Sequence, residues 1–238
     1  MRKLGIIGGM SWSSTALYYE ALNKAVVRQL GGLHSAPLLI ESHDFAPLAA
    51  LQQRQDWSAI AAIAIDSARR LQAAGAEGIL IASNTMHRVH DEVAAALAIP
   101  VLHIADAVAE RLARDGISRA ALLRTRFTMT EGFVRNSIEA RGVTLVPLDP
   151  AWMGEVDRMI YQELAAGQVV RDSQRKLKTL FTELGKKKVQ AVVLGCTELV
   201  LAVDPRANVL PIYDTTALHA RVAAEWMLAP VEAARVAA

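Results

Sequence analysis

A chain of 238 residues, 53% hydrophobic and with a formal net charge of +2, holds enough apolar material for one large domain or two lobes of about 100–120 residues. The weak, dispersed charge argues against a nucleic-acid partner, and no apolar run reaches the roughly 18 residues of a membrane span. A single cysteine, Cys196, excludes an intrachain disulfide framework and fits a reducing compartment, so the protein is expected in the cytosol.

The chain enters a strand-like run almost at once, with Met1-Arg2-Lys3 followed by too short an apolar stretch for a secretory signal. Strands are predicted at Lys3–Ile7, Pro37–Glu41, Gly78–Ala82, Val101–His103, Ala120–Leu123, Thr144–Pro147, Ala191–Leu194 and Val209–Pro211. Helical periodicity fills the gaps, at Ser14–Leu30, Trp57–Ala73, His87–Ala96, Ala105–Asp115, Thr130–Ala140, Glu155–Ala165, Asp172–Leu184 and Thr215–Leu228. Gly31, Gly75, Gly116, Gly142, Gly167 and Gly185 all fall where a helix C-cap is expected. Lys186-Lys187-Lys188, the densest basic stretch, reads as a solvated turn. Continuous apolar strands alternating with helices predict an α/β fold of parallel sheets covered on both faces.

A weak repeat runs through this pattern. Gly5-Ile6-Ile7-Gly8 corresponds to Ala121-Leu122-Leu123-Arg124, and Ala82-Ser83-Asn84-Thr85 to Gly195-Cys196-Thr197-Glu198, at offsets of 116 and 113 residues. Two Rossmann-like or flavodoxin-like lobes related by a pseudo-twofold axis are expected, one of residues 1–104 with 212–238, the other of residues 105–211. Ligands of open parallel sheets bind beyond the carboxyl ends of strands. Ser83 and Cys196 are therefore expected on opposite walls of a cleft between the lobes.

At each of these strand ends, short polar side chains and backbone N–H groups could meet a carboxylate or merely cap a helix. A thiol at a strand-to-helix junction is expected to favour its thiolate form. Gly8-Gly9-Met10-Ser11 lacks the third glycine of a dinucleotide fingerprint, leaving a tight turn or a small-anion contact. His87 and His90 lie one turn apart but lack a third metal ligand, while His43 and His219 stand isolated, so no metal is expected.

Taken together, Gly8-Gly9-Met10-Ser11-Trp12, Gln52, Asn84-Thr85-Met86-His87, Thr125-Arg126-Phe127-Thr128-Met129, Gly195-Cys196-Thr197-Glu198 and Tyr213-Asp214-Thr215-Thr216 resemble the cofactor-independent aspartate/glutamate racemases. The resemblance runs from end to end apart from the C-terminal tail. It implies two lobes, a homodimer, and 1,1-proton transfer on a free acidic amino acid without pyridoxal phosphate or any other cofactor. Cys196 matches the second of the family's two catalytic cysteines, and Ser83 stands where the first is usual. Met10, Gln52, Asn84, Thr85, Thr125, Arg126, Thr128, Thr197 and Glu198 are implied to bind substrate. Arg124 replaces a glycine usual in the family.

With one thiol and one hydroxyl, the implied reaction is slow and L-preferring, Cys196 serving one face of Cα and Ser83 the other. Two alternatives stay open on the sequence: a single-cysteine decarboxylase-like enzyme, and a catalytically weak amino-acid-binding protein.

Overall fold

The computed structural model describes residues 1–125 and 132–230. It is an α/β protein with two four-stranded, wholly parallel sheets. The chain divides into two compact units, the first comprising Met1–His103 with the segment from His219 onward, the second Ile104–Leu218.

In the first unit, β1 (Leu4–Gly8) lies between β2 (Leu38–Ser42) and β3 (Gly78–Ile81), and β4 (Val101–Leu102) pairs with β3. Every residue of β1 and β3 is buried, as their unbroken apolar sequences require of central parallel strands. One face of this sheet packs against α3 (Trp57–Ala73), whose Ile60, Ala64, Ala68 and Leu71 form a helical-period stripe. The other face packs on α1 (Trp12–Leu30) through Tyr18 and Leu22, and on Ala220, Ala223, Ala224 and Met227. Asp44 caps a helix that the periodicity did not reveal, α2 (Phe45–Gln53).

The 3₁₀ turn Thr85–Val89 leads into α4 (His90–Ala95) where one helix was expected from His87 to Ala96. The chain then enters α5 (Ile104–Arg114) at the start of the second unit.

The second sheet repeats the plan with β5 (Arg119–Leu123), β6 (Thr144–Leu145), β7 (Ala191–Leu194) and β8 (Ile212–Asp214), in the order β6-β5-β7-β8. Strand for strand this matches the first sheet, and β7 begins 113 residues after β3, the offset that separates Ser83 from Cys196.

After α6 (Gly132–Glu139) comes α7 (Pro150–Gln162), which begins five residues before the expected Glu155. Asp149 accepts the Trp152 N–H and Pro150 occupies the first turn, a stronger start signal than the apolar period. Helix α8 (Arg171–Lys186) buries Leu177, Leu180, Phe181 and Leu184 against the sheet. It runs through Gly185, and the left-handed residue that follows is Lys188 at φ 62°.

The final strand was expected at Val209–Pro211, but pairing begins at Ile212, opposite Val192. Residues 212–218 thus stay with the second sheet, and the division falls within the last helix, α10 (Thr215–Leu228), after the short α9 (Leu199–Ala202).

Candidate active site

In the first unit, Ser83 lies two residues past β3 and is half-buried. Its Oγ accepts the Met86 N–H at 3.5 Å, and its carbonyl accepts a hydrogen bond from His87 Nδ1 at 2.7 Å. Asn84 and Thr85 are half-buried in the same turn. The Asn84 carbonyl accepts the His87 N–H, and Gln52 Nε2 reaches Met86 Sδ at 3.5 Å. Ser83, Asn84, Thr85 and Gln52 therefore gather around one turn. Met10 is 7% exposed and packs into the apolar core with Ile7 and Leu48.

The Gly8-Gly9 turn is a tight structural one. Gly9 has φ +88°, and a Cβ there would stand 2.1 Å from the His43 carbonyl oxygen. Its N–H donates to Thr15 Oγ1 at 2.8 Å, so that donor is already committed.

The histidines that look scattered in the sequence converge behind the Ser83 turn. His87 lies 5.1 Å from His103, 5.3 Å from His219 and 6.0 Å from His90 between ring centroids. His219 is fully buried; it donates from Nε2 to the Leu102 carbonyl at 3.0 Å, so Nδ1 accepts the Tyr18 hydroxyl at 2.9 Å. These bonds fix a neutral tautomer, and burial drives the His219 pKa down to about 3. His87 is likewise held well below the ordinary histidine range, first by burial and then by its histidine neighbours. Among the described residues no group of three or more His, Cys, Asp or Glu is arranged to hold a metal ion.

In the second unit, Cys196 stands two residues past β7, the position Ser83 holds after β3. It is half-buried, and its thiol donates to Glu198 Oε2 at 2.9 Å. Thr197 Oγ1 donates to the same oxygen at 2.9 Å. The contact favours the neutral thiol over the expected thiolate. Desolvation, then the charge of Glu198 and its hydrogen bond, push the Cys196 pKa well above the usual thiol value, and Arg124 opposes them. Helix α9 has only four residues, too short to supply the dipole that the strand-to-helix reading assumed. Burial, and then the carboxylate two residues on, set its state instead.

Thr125 is half-buried at the end of β5 and hydrogen-bonded to the Tyr161 side chain. Tyr161 escaped the sequence reading. It lies on α7, exposed, and its phenol is raised by desolvation and by Asp157, with smaller effects from Cys196 and Glu198. The available signal was an aromatic residue just past the buried Val156–Met159–Ile160 face. Arg126 and Thr128 lie outside the described residues.

The Tyr213-Asp214-Thr215-Thr216 motif orders the strand that carries the thiol. Thr215 Oγ1 donates to the Leu194 carbonyl at 3.0 Å, Asp214 accepts the Thr216 N–H at 2.9 Å, and the Tyr213 hydroxyl donates to Asp115 at 2.7 Å.

Two matching parallel sheets, with a hydroxyl and a carboxylate-bound thiol at equivalent strand ends, define a racemase-type scaffold. The sequence matches the Asp/Glu/Hydantoin racemase family over residues 7–223, so the chain belongs to that family, and its enzyme class is that of the isomerases. A Yersinia pestis protein provisionally described as an Asp/Glu racemase is 41% identical, with a TM-score of 0.93 over 96% of this chain and 100% of its own. An aspartate racemase homologue from Pyrococcus horikoshii OT3 is 32% identical, with a TM-score of 0.85 over 95% and 99% of the two chains. The broad-specificity amino-acid racemase RacX of Bacillus subtilis (strain 168) is 24% identical over 157 residues, 66% of this chain and 67% of its own.

Proposed function

We propose that the chain is a cofactor-independent racemase of acidic amino acids, aspartate or glutamate, in which Cys196 and Ser83 face opposite sides of one Cα. The observation that carries this reading is their equivalence. Each stands two residues past the same strand of sheets with the same order, and the sulfur has a proton acceptor in contact.

The thiol cannot abstract a proton until it has lost its own. Glu198 Oε2, which already accepts the Cys196 proton in a hydrogen bond, takes it when substrate binds. The thiolate then removes the α-proton of the L-enantiomer, and the Ser83 hydroxyl delivers its proton to the opposite face. Solvent returns the Glu198 proton to Ser83, so no proton is gained or lost. Backbone N–H groups at the two turns and the substrate ammonium stabilise the carbanionic state.

A serine hydroxyl is a poor base near neutrality, which makes the reverse direction slow. Because the enantiomers are equal in energy, kcat/KM must balance and the asymmetry falls on kcat. Asn84, Thr85, Gln52, Thr125 and Thr197 are read as substrate-binding groups, together with Met10, Arg126 and Thr128. Glu198 moves from that set to the proton chain.

The reading also includes a cytosolic homodimer. It draws on the free Cys196 thiol and on an exposed stripe of α1, Trp12, Tyr19, Val27 and Leu30, as a subunit contact.

The deciding experiment is α-hydrogen exchange in deuterium oxide, read by NMR, for both enantiomers of aspartate, glutamate and a panel of neutral amino acids. The panel matters because a relative has broad specificity. Exchange from L-aspartate or L-glutamate, lost in Cys196→Ala, is expected. Undiminished exchange in that variant would sink the assignment, and carbon dioxide release from malonate-type acids would place the chemistry with decarboxylases. Tight amino-acid binding without any exchange would leave a binding protein.

A further inference from the structure

Arg124 leaves the end of β5 and is buried to 1% exposure. Its stem lies directly over Gly195: a Cβ on that glycine would stand 2.4 Å from Arg124 Cγ, 2.7 Å from Cδ and 3.2 Å from Nε. The missing side chain at 195 is thus what lets the arginine reach the neighbourhood of Cys196, one residue on. A guanidinium does not escape burial by losing its proton, so the charge at this position is permanent.

Among the described residues, the charged and titratable groups acting on Cys196 are Glu198, Arg124 and the Tyr161 phenol. Glu198 holds the sulfur in its protonated form, and a negative phenol would do the same. Arg124 acts in the other direction.

Resting on the reading of Cys196 as the reacting thiol, we propose that Arg124 is the fixed countercharge that allows this sulfur to become an anion against Glu198. It is a positioning residue, acting through Cys196 and threaded into place by Gly195. The hydrogen bond to Glu198 stores the proton, and Arg124 holds the negative charge that remains.

The sole cysteine gives this proposal a direct readout. Iodoacetamide modification of the full chain at limiting reagent, read between pH 6 and 9 by the mass of the peptide that carries Cys196, reports the ionisation of that thiol. Arg124→Met keeps the stem over Gly195 and removes the charge; Arg124→Lys keeps a charge. One pKa unit changes the thiolate fraction about tenfold. The Met variant is expected to react about tenfold more slowly at pH 8, and the Lys variant within about threefold of the parent.

Gly195→Ala, which leaves the arginine in the sequence but displaces its stem, should also slow the reaction. Glu198→Gln should speed it. A Met variant as fast as the parent, a Lys variant as slow as Met, or an unaffected Gly195→Ala overturns the proposal. Alkylation needs no substrate. A parent protein that exchanges no α-hydrogen would therefore sink the racemase reading while the role of Arg124 is still decided by these rates.

Discussion

The buried histidines of the first unit set an acid limit on the protein. His87 and His219 are neutral in the folded chain but protonate near pH 6.5 once unfolded. Both folded pKa values are depressed, so their stabilisation is complete above about pH 6.5 and is lost as pH falls toward the folded value. Over that window the unfolded state binds more protons, and His219 withdraws about 1.4 kcal/mol of stability per pH unit. Between pH 6.5 and 4.5 His219 alone removes about 2.5 kcal/mol, and His87 acts in the same direction. A loss of that size is about half of the lower end of total stability for a folded domain, about 5 kcal/mol.

His219→Gln tests the arithmetic. Glutamine can still donate to the Leu102 carbonyl but cannot titrate. It forfeits the Tyr18 bond, so the variant should be about 1 kcal/mol less stable at pH 7.5. Its slope between pH 6 and 4.5 should be shallower by about 1.4 kcal/mol per unit. Urea unfolding at a series of pH values, followed by tryptophan fluorescence, measures both; Trp12, Trp57 and Trp226 all lie in the first unit. Parallel slopes for parent and variant would refute the argument.

Ser83→Cys should raise α-hydrogen exchange from the D-enantiomer at least about tenfold, since a thiol near pKa 8.5 is a far stronger base at pH 8 than an alcohol; an unchanged NMR rate would count against Ser83 as the opposite-face group. Gly9→Ala forces a side chain into left-handed backbone and onto the His43 carbonyl, and should cost about 2–4 kcal/mol in chemical denaturation. Glu155 accepts from Arg158 at 2.8 Å and Lys176 at 2.9 Å, and the guanidinium bond first, then the lysine, lowers its pKa to about 2. The depressed value means its contribution is full above pH 4.5 and fades as pH falls toward 2. Glu155→Gln should therefore cost about 1 kcal/mol at pH 7 after solvent screening, with the gap to the parent narrowing below pH 4.5.

Much of the fold is written locally. Trp57–Ala73, Ala191–Leu194 and Thr215–Leu228 stand where periodicity and β-branched runs put them, because a two-sided core demands those patterns. Local competition explains the shifts elsewhere: Asp149-Pro150 starts α7 early, and Gly185 continues a helix whose apolar stripe extends through Leu184. The positions of Ser83 and Cys196 were legible because strand ends recur. The state of the thiol was not. Whether a carboxylate two residues away turns toward the sulfur depends on how the chain bends after β7, which composition does not encode. His87, His90, His103 and His219 span more than a hundred residues, and only the closing of the first sheet's helices brings their rings together.

Gly195 and Arg124 constrain each other's history. No side chain enters at 195 while the guanidinium stem occupies that space. Divergence at this corner must run in a fixed order, the large residue at 124 yielding before the small one at 195 can change. Epistasis of this kind is one-sided: a chimera that brings any side chain to 195 while keeping Arg124 fails through collision, whereas a glycine at 195 accepts either a large or a small residue at 124.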